Sequence, residues 1–236
     1  MAGSLDSVRS KIRWAEKHRQ AINAEVSGYF EKNAGLVVAE LHPQLYGGGV
    51  SNVYGPPHPD SIALLIGDCL QNLRSALDYL VWELCLSAKR EPGKHNAFPV
   101  CKSPESFKKR VKEDRLLDGV PEEAAAEIER LQPYQSGDLR EYTRLWVLNE
   151  LTNINKHRRI LFTALNADTP SAAMVSSGYT GFGTELSRNM DMNEGLVAYI
   201  QFNEGVIAGQ EVSGALRGLI DFVQTSVTPQ FERFFS

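Results

Sequence analysis

The chain has 236 residues, 42% of them hydrophobic and 23% charged, with a net charge of −4. That balance excludes a disordered or collagen-like chain, and the length is enough to bury a core without metal or disulfide support. The acidic excess excludes broad, charge-driven nucleic-acid binding but leaves room for a local basic patch.

One domain over residues 1–236 is expected. The cysteines are Cys69, Cys85 and Cys101, and no pair has zinc-like spacing. Cys69 and Cys85 fall on one predicted helix, roughly 24 Å apart at the helical rise, too far to bridge. A reducing, cytoplasmic setting is expected, with no metal and no cofactor. The N-terminus lacks a charged-then-apolar signal pattern, and no apolar run approaches the ~20 residues that span a bilayer.

Residues 5–32 are predicted helical. Val8, Ile12, Ala15, Ile22, Val26 and Tyr29 keep a spacing of three and four, interrupted by Arg19. Asn33-Ala34-Gly35 ends the helix. Leu36 to Leu41 and Val50 to Tyr54 read as strands, with Gly47-Gly48-Gly49 as their turn. Gly55-Pro56-Pro57-His58-Pro59 is a stiff linker, and Asp60 or Ser61 caps a helix over 60–88. Arg90 to Val100 reads as a loop. Ser103-Pro104-Glu105 opens a short helix, and Pro121 to Leu131 forms another, stopped by Pro133. Asp138 and Glu141 read as a capping box for a helix running to Arg158. Ile160 to Leu165, Ala172 to Ser176 and Leu196 to Phe202 are β-like. Val212 to Phe235 returns to helical spacing, kinked or divided at Pro229. The expected class is α+β, predominantly α. A helical bundle core comes from about 5–32, 60–88, 103–158 and 210–235. A small, mostly antiparallel sheet comes from strands within 36–54 and 160–203.

Two polar stripes stand out. Between Asp68 and Trp82, one helix face is apolar through Cys69, Leu70, Leu73, Ala76, Leu77 and Leu80. The other carries Asp68, Asn72, Ser75, Tyr79 and Trp82 without a lysine, which predicts a partly buried, hydrogen-bonded face. A second stripe holds Tyr142, Trp146, Asn149, Asn153 and Lys156, with His157 at its edge. Packing the stripes together would pair Asp68 with Lys156 or His157, and Asn72 with Asn153. As structure, that network sets the register of two helices. As function, it positions Arg74, Lys156, His157 and Arg158 around an anion. Buried polar groups are usually just hydrogen-bonded, which favours the structural reading. Cations at a helix C-terminus also complement its dipole, so an anion there relies on side chains alone. His18, His42, His58 and His95 read as surface or loop residues. Gly178 to Gly183 reads as a turn, and Lys108 to Arg115 as a solvated basic face.

The segments Gly67-Asp68, Asn72-Leu-Arg74-Ser-Ala-Leu-Asp78, Phe98-Pro99, Leu131-Gln-Pro-Tyr134 and Leu148-Asn-Glu-Leu-Thr-Asn153, followed by Lys156-His157-Arg158, stand in order. In them the chain resembles a group of uncharacterised bacterial proteins over nearly its whole length. More distantly it resembles HEPN domains, small helical bundles of which many are metal-independent ribonucleases. These carry an Arg-x-x-x-x-His signature and commonly act as dimers. Arg74 occupies the Arg position, but Tyr79 stands where the family has His. An unperturbed Tyr has a pKa of about 10, far from that of an acid–base group working at neutral pH. The resemblance therefore implies a non-catalytic HEPN-like binding module for an RNA or protein partner, with homodimers expected. Its binding residues would be Asn72, Tyr79, Asn153, Lys156 and Arg158. The alternative is a metal-independent RNA-cleaving enzyme. There Arg74 would stabilise the phosphate, His157 would act as acid or base and Asp68 would orient His157.

Overall fold

The structure, a computed structural model, describes residues 3–33, 38–41, 50–54, 56–158, 162–168 and 197–235. It is predominantly helical. Two 28-residue helices, α1 (Asp6–Asn33) and α2 (Asp60–Ser87), lie antiparallel. Ser7 Oγ donates to Glu83 at one end of the pair, and Ser61 Oγ donates to Glu25 at the other. α2 is the central element. Its buried side chains run from Ile62 through Leu70, Leu77 and Leu84, and it packs against α1, α5 (Arg144–His157) and α6 (Val212–Asp221). At Gly67 a Cβ would come within 2.5 Å of the Asn155 side chain, so glycine lets α2 approach α5 closely there.

The polar break in the α1 stripe has a structural use. Arg19 is only 5% exposed. Its guanidinium bonds Glu16 at 2.6 and 2.8 Å and donates to Ser213 Oγ at 2.8 Å, tying α1 to the start of α6. The hydrogen bond from Arg19 holds the Glu16 carboxyl below its usual value of 4.5. A lowered carboxylate pKa means the unfolded chain takes up the proton first. The pair therefore stabilises above pH 4.5, and that stability is lost as pH falls through the lowered value. Arg19→Met is expected to be less stable at neutral pH. It should also show a flatter loss of melting temperature between pH 4.5 and 3 than wild type. Parallel curves for the two proteins would contradict this.

α3 (Pro104–Lys112) starts as expected, with Ser103 Oγ accepting from Ser106 N at 3.2 Å and Pro104 in the first turn. α4 spans Glu122–Arg130. The predicted helix over 138–158 is shorter. Residues Pro133–Tyr142 form 3-10 turns, broken where Gly137 adopts φ +57°. Thr143 then caps α5, its Oγ1 accepting from Trp146 N at 3.3 Å. Asp138 and Glu141 therefore make no capping box, and Glu141 pairs with Lys102 instead. α2 likewise has Pro59, rather than Asp60 or Ser61, at its cap position.

After α6, Phe222–Val227 is a π-helical turn, followed by a single α turn over Thr228–Phe231. The widening precedes Pro229, and Thr228 Oγ1 donates to Val223 O five residues back. Strands β1 (Val38–Leu41) and β2 (Val50–Tyr54) pair antiparallel, as do β3 (Phe162–Asp168) and β4 (Val197–Phe202). Among the described residues hydrogen bonding gives two two-stranded ribbons, with β2 next to β3, rather than one sheet. Gly47–Gly49, Ala172–Ser176, Gly178–Gly183 and His42 lie outside the described residues. No described helix is long and apolar enough to cross a membrane.

Candidate functional site: a cationic cleft between α2 and α5

The site begins with a clamp on one peptide unit. Arg74 and Asp78 stand one turn apart on α2 and pair at 2.9 Å. Asp78 Oδ1 also accepts from Phe98 N at 2.9 Å, while Arg74 Nη2 donates to Phe98 O at 2.5 Å. Both hydrogen-bonding groups of Phe98 are thereby satisfied by one ion pair, and its ring is buried in the core. Gln132, 1% exposed, holds the next residues. It accepts from Cys101 N at 2.9 Å and donates to Pro99 O at 2.9 Å and to Ile128 O at 3.0 Å. Segment 98–101 is thus pinned across α2.

That pinned segment, α5 and the start of α3 enclose a cleft of about 450 Å³. Four cations line it: Arg74, Lys102, Arg110 and Lys156. Trp146, Asn149 and Asn153 present one flank of α5 to it, and Ser106 comes from the first turn of α3. Among the described residues, no aspartate, glutamate or histidine lines it. Arg74 Nη1 is buried without a hydrogen-bond partner. Lys102 lies 4.2 Å over the Trp146 ring and 2.9 Å from Glu141, and this contact lowers the Glu141 carboxyl. The Cys101 thiol in the wall is buried, which pushes its pKa up and keeps it from being a thiolate nucleophile. All three cysteines are free and buried. Burial pushes the thiol of Cys69 up to about 12.

The structure brings together only some of the expected site residues. Arg74, Asn153 and Lys156 meet at the cleft. Asn72 and Tyr79 do not reach it. At 100° per residue they project about 100–160° away from Arg74 and Asp78, beside α1. There Lys11 bonds Asn72 Oδ1 at 3.4 Å and sits 5.4 Å over the Tyr79 ring. That face is mostly open. Asp68 is exposed, as are Tyr79 and Trp82 at 43% and 45%. Among the described residues, no hydrogen bond or ion pair joins Asp68 to Lys156 or His157, or Asn72 to Asn153. The α5 stripe faces the Arg74 flank instead. His157 is the exposed last residue of α5 and does not line the cleft. Arg158 turns away to Glu204 at 2.5 Å.

Lys102 belongs to the site without having been singled out; Arg110 lines the cleft rather than only a solvated basic face, and Gln132 has a role that its place in the Leu131–Tyr134 segment does not reveal. One signal was available: the Ser103-Pro104 start places Ser106 and Arg110 one turn apart on one face of α3. No protein-family model, curated protein or solved structure matches the chain.

Proposed function

We propose that the protein is a non-catalytic, HEPN-like helical binding module of the bacterial cytoplasm, holding RNA at the cleft between α2 and α5. One observation carries this reading. The ionisable groups lining the cleft, among the described residues, are four cations and a buried thiol. Cations attract a phosphate backbone. A general base needs a group that accepts a proton near neutral pH within hydrogen-bond reach of the substrate. Among the described residues no such group lines the cleft, His157 and Asp68 included, which favours binding over an RNA-cleaving dyad of Arg74 and His157. A protein partner with an acidic surface is the second reading, favoured by the same four cations.

Filter binding with a labelled single-stranded RNA, followed by a denaturing gel, tests the proposal. The expected result is RNA that is retained and stays intact, with retention weakened in Lys156→Ala and at raised salt. Cleavage that follows the purified protein and disappears in Arg74→Ala would overturn it. RNA that is not retained at all would shift the choice to the acidic protein partner.

A further inference from the structure

The geometry points to a discrete oxyanion site of the phosphate class in this cleft, formed by Arg74, Lys102, Arg110 and Lys156, with Glu141 as a built-in competitor for Lys102. It rests on the binding reading of the same cleft and makes it specific. In a chain with four more acidic than basic residues, four cations around one concavity of about 450 Å³ form a local positive field. The volume is in the range that encloses small ligands, so a compact anion can meet several cations at once. Arg74, which lines the cleft, is held by Asp78 and Phe98, and its Nη1 is a buried donor left without a partner. Buried donors without a partner are where an ion or water belongs. Guanidinium suits tetrahedral oxyanions because its donors form a planar fork. Ser106, in the first turn of α3, brings the favourable end of a helix dipole to the lining.

Glu141 shows how the site is tuned. It is exposed, pairs Lys102 at 2.9 Å and stands outside the lining. A phosphate that takes up Lys102 competes with this carboxylate for its charge. Exposed ion pairs of this kind are weak, so the competitor lowers affinity without closing the site. Arg110 is held only loosely, 3.9 Å from Asp114, and is free to turn inward.

Calorimetric titration of the full chain with inorganic phosphate at low ionic strength tests this. Phosphate is expected to bind, about tenfold more weakly in Lys156→Glu or Arg110→Glu, and about threefold more tightly in Glu141→Gln. These substitutions are at exposed positions, so folding is kept; a thermal melt of each confirms it. Two further arms separate sources of the same chemistry. Phenyl phosphate reports a free ester, and a short RNA with or without a 5′-phosphate reports a strand end. Loss of RNA retention on adding phosphate places both at one site. No phosphate binding, or binding that charge reversal at Lys156 and Arg110 leaves unchanged, overturns the site. RNA retained under those conditions leaves the binding-module reading standing by itself. Phosphate bound with no RNA retained supports the site and removes RNA as the partner.

Discussion

Asp78→Ala is expected to melt well below wild type, and further below it than Arg74→Ala. Removing Asp78 strips an ion partner from Arg74, whose side chain is 13% exposed, and takes the acceptor from Phe98 N–H. Truncating one member of a buried pair costs several kcal/mol because the other charge is left uncompensated. The Asp78 side chain is one-third exposed, so water softens the loss, and about 3 kcal/mol is the expected size. In a chain of this length that corresponds to roughly 6–12 °C. Arg74→Ala removes the donor to Phe98 O but leaves a carboxylate that water can reach, so its cost is smaller. Asp78→Asn keeps an acceptor for Phe98 N–H and should fall between wild type and Asp78→Ala. His157→Ala, at an exposed helix end, should melt with wild type. Differential scanning calorimetry of the four variants reads the order directly. An Arg74→Ala protein as stable as wild type, or Asp78→Ala costing less than Arg74→Ala, would sink the clamp.

That order also sorts roles within the cleft. Arg74 is held first for the fold, through Phe98 and Asp78. The rim cations Lys102, Arg110 and Lys156 carry little of the fold. They can be changed for binding tests without confusing affinity with unfolding.

The same clamp joins three of the segments singled out in the sequence. Arg74 and Asp78 hold Phe98. Gln132, from Leu131-Gln-Pro-Tyr134, holds Pro99 and Cys101. Three separated stretches thus close on one another, two of them holding the third. This was not legible from spacing, since nothing in a helical repeat says which loop will cross it. What was legible were the long helices. The apolar repeats of α1 and α2 place their ends within a residue or two of the observed bounds, because burial of one face dominates their energetics. The α5 stripe was also readable, and Trp146, Asn149, Asn153 and Lys156 do share a flank. Which flank of α2 meets it was not. Asn72 and Tyr79 were the attractive residues by type, but Arg74 and Asp78, on a different flank, had a partner to satisfy. A backbone peptide crossing α2 there outweighed the match of amide with amide. The break before α5 was missed because Asp138 and Glu141 have capping-box spacing. Gly137 at positive φ and Thr143 as the cap override it.

Gln132→Leu is expected to cost more than any other single change considered, about 4 kcal/mol. The leucine fills a similar volume, so the loss isolates hydrogen bonding from packing. Three backbone groups, Cys101 N–H, Pro99 O and Ile128 O, lose their side-chain partner in a place where water does not reach. Each unsatisfied buried group costs about 1–3 kcal/mol, and the three are not additive because they share one side chain. Gln132→Glu separates this from a packing effect. A carboxylate can still accept from Cys101 N–H, but it faces two carbonyl oxygens with no proton to give. Burial and those carbonyls should raise its folded-state pKa above the ordinary glutamate value of about 4.3. The folded state then binds more protons than the unfolded one. Stability of this variant should rise as pH falls from 7 towards 5 and be lost as pH rises through the raised value. Wild type has a neutral amide there and should show no such rise. Melting curves of the three proteins at pH 5 and pH 7 decide it. If Gln132→Glu does not gain on wild type at pH 5, Gln132 is a spacer and not the donor that fixes segment 98–101. If it does gain, the cleft wall is held by that donor, and phosphate binding in Gln132→Glu should recover along with stability.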